Sequence, residues 1–357
     1  MINIRGYIFS ILYRLVRFLA KNIVFGYQRV LRKDQDLESI VDFGDKNLIR
    51  INKYLGSFAY KFSIPKDIGL HIFDLRFDSP LVAASFKSEK ELLGIWLKLG
   101  LGGAIFKTIM KDTRSGNGRP RMQQVRLERK PCIVNALGLP GKGIDRFKKE
   151  VLKSALWDHD RPLGISIGGE NFDEYLYGFN TMEETIHNRV PDNYFYEINI
   201  SCPNTDTGRS LGDDLVDLEK LIDHLRANCD TVISLKVSPD WSDEHLRNIG
   251  EMIRQKEKMF INAGNTQFRT VDSLGLKSNQ LPRKGGGLSG VAIFPRTLEM
   301  IHIYKDMNIN IMATGGVSTV HHFRAAKDSG ASLVGMATAL IMDPYCIPKI
   351  NYELEGN

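Results

Sequence analysis

From residue 80 onward, short apolar runs alternate with longer stretches whose apolar positions recur every three or four residues. The runs Leu81–Ser85, Ala104–Ile109, Leu163–Ile167, Phe195–Ile200, Val232–Val237, Met259–Asn262, Ile309–Ala313 and Leu333–Ala337 predict strands. Between them, Glu89–Leu99, Leu215–Ala227, Ser242–Lys256, Arg296–Lys305 and Val320–Ser329 predict amphipathic helices, the last closed by Gly330. Strands that alternate with helices pair in parallel, and eight such units predict an α/β fold of the (β/α)8 TIM-barrel type. Chemistry in such a barrel sits at the C-terminal ends of the strands. A doubly wound open sheet is the competing arrangement. Two stretches break the alternation, Lys111 to Lys130 and Phe268 to Gly287, and both predict long functional loops beside a strand end.

The first 33 residues follow a different pattern. Seven Arg or Lys and no acid are interspersed among Ile8, Ile11, Leu12, Leu15, Val16, Phe18, Leu19, Ile23, Val24 and Phe25. Arg14, Arg17 and Lys21 share one face of a helix, with apolar side chains on the others. The apolar runs are far shorter than the roughly 20 residues a bilayer span needs, and basic residues interrupt any signal-peptide core. A cationic amphipathic helix resting on an anionic membrane surface is the functional expectation for residues 1–33. A helix docked on the body of the protein, or a mitochondrial-type presequence, is the alternative. Residues 1–75 are thus expected to form an N-terminal helical extension and residues 76–357 one barrel domain. The corresponding location is the cytoplasmic face of a membrane, or, without membrane contact, a soluble cytoplasmic or mitochondrial one.

Composition narrows the class only slightly. With 43% hydrophobic and 25% charged residues the chain reads as an ordinary soluble enzyme. Its four cysteines, Cys132, Cys202, Cys229 and Cys346, are scattered without paired spacing, which argues against a disulfide framework, a metal site or an iron–sulfur cluster. The net charge of +6 is concentrated at the front of the chain rather than on the predicted barrel, so no nucleic-acid partner is expected. A homodimer is compatible with the sequence.

Candidate chemistry gathers at the predicted strand ends. Asn199-Ile200-Ser201-Cys202-Pro203-Asn204-Thr205 places amide, thiol and amide where an apolar strand stops, an arrangement able to grip a flat polar ligand beneath a proton-accepting thiol. A plain turn around a small buried cysteine fits the same heptapeptide. Gly315-Gly316 and Thr338, after the last two strands, match the phosphate site that recurs in this barrel type. Lys236 ends an apolar strand, where an ammonium needs an acceptor; a flavin edge that turns negative on reduction would serve, and so would a structural ion pair.

Six ordered segments give a more specific signal: Phe106-Lys107-Thr108-Ile109, Gly116-Asn117-Gly118-Arg119-Pro120-Arg121, Asn135-Ala136-Leu137-Gly138-Leu139-Pro140, Asn199 to Thr205, Gly286-Gly287-Leu288-Ser289-Gly290 and Thr314-Gly315-Gly316-Val317. Over residues 75 to 345 the chain resembles the flavin-containing dihydroorotate dehydrogenases. The resemblance implies FMN as cofactor and dihydroorotate as substrate. By position it implies that Lys107, Asn135, Asn199, Asn204 and Asn262 hold the substrate, with the backbone of Leu137, Gly138 and Leu139 beside it. It implies FMN contacts from Ala84, Ser85, Lys107, Thr108, Asn135, Asn199, Lys236, Gly290, Gly315, Gly316, Ala337 and Thr338, with Ser166 where the family often presents an amide. Cys202 falls at the base position, assisted by Lys107, and would take the proton from C5 while a hydride leaves C6 for flavin N5. The loop from Cys202 to about Gly212 would close as a lid.

Some positions depart from the family pattern. Ala263 replaces the hydroxyl residue that usually follows Asn262, and Asn265-Thr266 offers another alignment. The barrel motifs resemble the soluble cysteine-type classes, whereas the N-terminus resembles the extension of the quinone-linked class. The implied electron acceptor is therefore a membrane quinone, with fumarate or another soluble acceptor as the alternative; an NAD-linked form would need an iron–sulfur partner subunit. Dihydrouridine synthases, which carry an additional RNA-binding domain, dihydropyrimidine dehydrogenases, a catalytically silent flavin-binding scaffold and a Schiff-base aldolase using Lys107 or Lys236 are the competing readings.

Overall fold

A computed structural model describes residues 4–201 and 211–355. Eight parallel strands close into a barrel: β1 (Leu81–Ala83), β2 (Gly103–Ile109), β3 (Leu163–Ile167), β4 (Tyr194–Asn199), β5 (Ile233–Val237), β6 (Met259–Ala263), β7 (Ile311–Thr314) and β8 (Leu333–Met336). Each predicted strand is present, and the strands neighbour one another in sequence order, with β8 beside β1. The open-sheet alternative is excluded by this closure.

Side chains alternate along each strand because successive Cβ atoms point to opposite faces. On β4, Tyr194, Tyr196 and Ile198 pack outward against the helices, while Phe195 joins the inner cluster. That cluster fills the lower barrel with Val82, Ile105, Phe195, Val232, Phe260, Met312 and Leu333. A hairpin, Leu70–Ile72 with Leu75–Phe77, inserts Ile72, Leu75 and Phe77 into it from below; Phe77 and Phe195 have ring centroids 6.3 Å apart. The expected division at residue 75 therefore cuts through an element that belongs to the barrel floor.

The two stretches expected as loops are partly strand. Gln267–Thr270, Gly285–Gly290, Lys130–Asn135 and Met122–Leu127 form a four-stranded antiparallel sheet over the barrel mouth. Glycine weakens strand interiors, which disfavours a strand through Gly285-Gly286-Gly287. Here they permit close approach: a Cβ at Gly286 would fall 2.6 Å from the Asn135 carbonyl oxygen, and one at Gly287 would fall 2.0 Å from Thr266 Oγ1.

Ahead of the barrel run two helices, α1 (Ile4–Val30) and α2 (Glu38–Ala59). The docked-helix expectation holds for α1, whose inward face mixes the apolar Phe9, Tyr13, Val24 and Phe25 with polar side chains. Ser10 is buried and donates to Asp343 Oδ2 at 2.6 Å, Lys349 Nζ donates to Ser10 Oγ at 2.8 Å, Tyr13 OH donates to the Ile341 carbonyl, and Arg17 turns inward to Gln124. Ile8, Ile11, Leu12, Leu15, Phe18, Leu19 and Ile23 stay exposed, as do Ile51, Tyr54, Leu55 and Phe58 on α2. No helix among the described residues is long and apolar enough to cross a membrane.

Candidate active site

The C-terminal ends of the strands open into a cavity of about 790 Å³, roofed by the antiparallel sheet and flanked by α2. Its walls include Ala84, Ser85, Lys107, Thr108, Asn135, Leu137, Gly138, Leu139, Asn199, Lys236, Gly290, Gly315, Gly316, Ala337 and Thr338. These are the predicted strand-end residues, brought together from β1, β2, β4, β5, β7 and β8 and from the sheet. Cys202 and Asn204, with most of the predicted lid, lie outside the described residues.

Inward-facing polar side chains build the inner wall. Asn199 Nδ2 donates to Thr108 Oγ1 at 2.8 Å, and Thr108 Oγ1 lies 2.9 Å from Ser166 Oγ. Asn199 Oδ1 accepts from Ser201 Oγ at 2.8 Å, and the Asn199 carbonyl accepts from Tyr175 OH at 2.7 Å. The strand end is thus fixed before any ligand arrives. Burial pushes the Lys107 ammonium down to about 8, with Glu89 opposing the fall and the neighbouring charges of Lys87 and Arg121 adding to it. Below that value Lys107 keeps its charge and presents a mostly buried cation to the cavity.

Two predicted residues are placed elsewhere. Asn262 faces the barrel interior, fully buried, and donates through Nδ2 to Glu197 Oε2 at 2.7 Å rather than lining the cavity. By register it stands level with Lys236 and Asn199, but its side chain is turned to Glu197, and the alternative pair Asn265 and Thr266 lines the cavity. Asn265 Nδ2 donates to Ser201 Oγ at 2.8 Å, joining this loop to the segment that leads into Cys202. Ser166 is also fully buried, behind Thr108, and contributes to the wall through that hydroxyl.

Around Gly316 the backbone is packed without room for a side chain. Its φ is +80°, and a Cβ there would fall 2.9 Å from the Phe294 nitrogen and 3.0 Å from the Gly290 carbonyl oxygen. Gly290, Gly315 and Gly316 thereby offer main chain to the cavity. Thr338 Oγ1 donates to Ser289 Oγ at 2.8 Å beside them. Ser289 was not singled out as a site residue, although it lies within one of the six motifs. Glu197 was missed too. Its signal is a lone charge within an apolar strand, two residues before Asn199 and hence on the same face.

The far side of the cavity is unlike the first. Val41 of α2, Met122, Ile133, Ile341 and Met342 form an apolar arm between α2 and the barrel. Arg121 spans its edge, bound to Glu38 and, through Nη1, to the carbonyls of Ser115 and Asn117.

Similarity to known proteins agrees with this arrangement. The family model for dihydroorotate dehydrogenase matches residues 68–357. The NAD(+)-type dihydroorotate dehydrogenase B catalytic subunit of Malacoplasma penetrans is 30% identical over 295 residues, 81% of this chain and 91% of that protein. The quinone-type dihydroorotate dehydrogenase of Christiangramia forsetii is 29% identical over 341 residues, 89% of this chain and 95% of that protein. A crystal structure of the Eimeria tenella dihydroorotate dehydrogenase with ferulenol shares the fold at a TM-score of 0.72 and 23% identity, covering 90% of this chain and 91% of that one. The chain belongs to the dihydroorotate dehydrogenase family of oxidoreductases.

Proposed function

We propose that the protein oxidises dihydroorotate to orotate with FMN as its resident cofactor and delivers the electrons to a quinone taken from a membrane surface. The observation that carries this reading is one cavity with two unlike ends, polar at the strand termini and apolar beneath α2.

The residues at the polar end fit FMN. The main-chain cradle of Gly290, Gly315 and Gly316, with the hydroxyls of Ser289 and Thr338, suits a phosphate. Ala84, Ser85, Thr108, Lys236 and Ala337 line the space for the ring system, and the cavity volume is that of a cofactor and small ligand together. When bound, FMN supplies hydride acceptance and electron transfer onward.

The chain's own side chains do the rest. Lys107 binds the substrate carboxylate, and its charge also lowers the cost of removing a proton nearby. Asn135, Asn199 and Asn204, with the backbone of Leu137 to Leu139, hold the ring amides; Asn265 and Thr266 take the place the resemblance gave Asn262. Cys202 removes the proton from C5, a step that requires thiolate and so benefits from the lysines around the cavity.

The acceptor follows from the apolar arm and from the exposed face of α1 and α2. Scattered surface apolar residues need no explanation, but a continuous set on two helices does. A soluble dicarboxylate would use neither feature. The test is anaerobic reduction by dihydroorotate followed by mixing with a short-chain quinone, fumarate or NAD in turn. Fastest reoxidation by the quinone supports the reading, and preference for fumarate or NAD overturns the acceptor assignment.

A further inference from the structure

Just beneath the cavity the barrel holds a carboxylate that the reaction above does not use. Glu197 on β4 is fully buried, directly below Asn199 on the inward face. Its Oε1 accepts from Ser85 Oγ at 2.6 Å and its Oε2 from Asn262 Nδ2 at 2.7 Å. Lys236 Nζ donates to the same Ser85 hydroxyl at 3.0 Å and stands 4.0 Å from Glu197 Oε1.

The direction of these contacts is fixed by chemistry. An ammonium only donates and an ionised carboxylate only accepts, so Ser85 takes its contact from Lys236 and gives its own proton to Glu197. These contacts take the hydroxyl's one donor and one of its two acceptor positions. Lys236 keeps its remaining N–H groups for the cavity it lines. Neither charge would be tolerated alone at this depth, whereas the pair with its hydrogen bonds is. A carboxylate this close, in surroundings that screen weakly, subtracts from the lysine's field.

We propose that Glu197 is a positioning residue of the flavin site, holding Lys236 through Ser85 and setting by its charge how strongly the lysine's positive field reaches the flavin. This rests on the FMN reading. Reduction places negative charge on the pyrimidine edge of the flavin, so a stronger positive field favours the reduced form. Removing the Glu197 charge therefore raises the flavin midpoint potential, and reoxidation by the acceptor slows relative to reduction by dihydroorotate.

The experiment measures the midpoint potential of the FMN-loaded protein. A full-length protein that binds no FMN overturns the flavin reading and this inference with it. Given bound FMN, Glu197→Gln should retain the cofactor and shift the potential upward, and an unchanged or lowered potential overturns the role of Glu197 alone. The carboxylate's own field acts without Lys236, whereas its hold on the lysine does not, so the shift should be smaller in a Lys236→Gln background; an equal shift in both backgrounds overturns the positioning role. Should Glu197→Gln fail to fold, Glu197→Asp carries the test. It keeps the charge but withdraws it from Ser85, so FMN should be lost faster with no upward shift, and an upward shift overturns the proposal.

Discussion

Arg121 grips Glu38 through two parallel contacts, Nε to Oε2 at 2.8 Å and Nη2 to Oε1 at 2.9 Å, tying α2 to the loop that leads into the roof sheet. Both side chains are nearly buried, and Arg119 adds a third contact at 3.0 Å. Charge-assisted bidentate pairs of this kind are among the stronger polar contacts. Glu38→Ala should cost about 2 kcal/mol of stability, read from the denaturant midpoint. Burial works against the Glu38 carboxylate, but the two guanidiniums overcome it and hold its pKa below the ordinary value. The folded state thus binds the proton less readily than the unfolded state. The clamp's contribution is complete above the ordinary glutamate pKa of about 4.3 and is lost as pH falls below it. Unfolding curves of Glu38→Ala and the unaltered protein should therefore converge in acid.

Lys107 carries a pH dependence of opposite sense. With its pKa held near 8 in the free protein, its charge is lost as pH rises through that value. KM for dihydroorotate should rise above pH 8, and Lys107→Met should give a KM that is high and flat over the same range. For stability the sign reverses. The unfolded lysine, near 10.4, keeps its proton longer, so the penalty of burying the charged form fades between about pH 8 and pH 10.4.

Cys202→Ala should leave FMN bound and slow flavin reduction by dihydroorotate by a factor on the order of 100 to 10,000, the usual range for a general base. Stopped-flow absorbance measures both quantities in one sample. Near-normal reduction would remove Cys202 from the mechanism.

Leu15→Glu with Phe18→Glu places two charges on the outward face of α1, whose 53% and 58% exposed side chains make no structural demand. Co-sedimentation with anionic vesicles should fall at least tenfold. Turnover with a water-soluble short-chain quinone should stay within twofold, since both residues lie away from the cavity. Unaltered vesicle binding would contradict the membrane role of this face.

The barrel was legible because each of its strands is an apolar run between helical repeats, and its outward positions have nowhere to go but against helices. The roof sheet was not legible. Its Gly285–Gly290 strand is defined by close backbone approach to Asn135 and Thr266, which no propensity reports. Strand-end residues such as Lys107, Asn199 and Lys236 are legible because strand ends converge, whereas the turn of the Asn262 side chain toward Glu197, at the same register, is not. The orientation of α1 is not legible because apolar side chains lie on most of its faces and periodicity does not say which of them turn inward. What turns it is a set of contacts across the chain, Ser10 to Asp343 and Tyr13 to Ile341.

The proposed chemistry requires that this cavity bind FMN and pass dihydroorotate's electrons to it. The direct measurement is an anaerobic titration of the purified full-length protein with dihydroorotate, followed by the visible flavin absorbance. The purified protein should be yellow, bleach stoichiometrically and release orotate. A colourless protein, or a yellow one that dihydroorotate leaves unbleached, would contradict that chemistry.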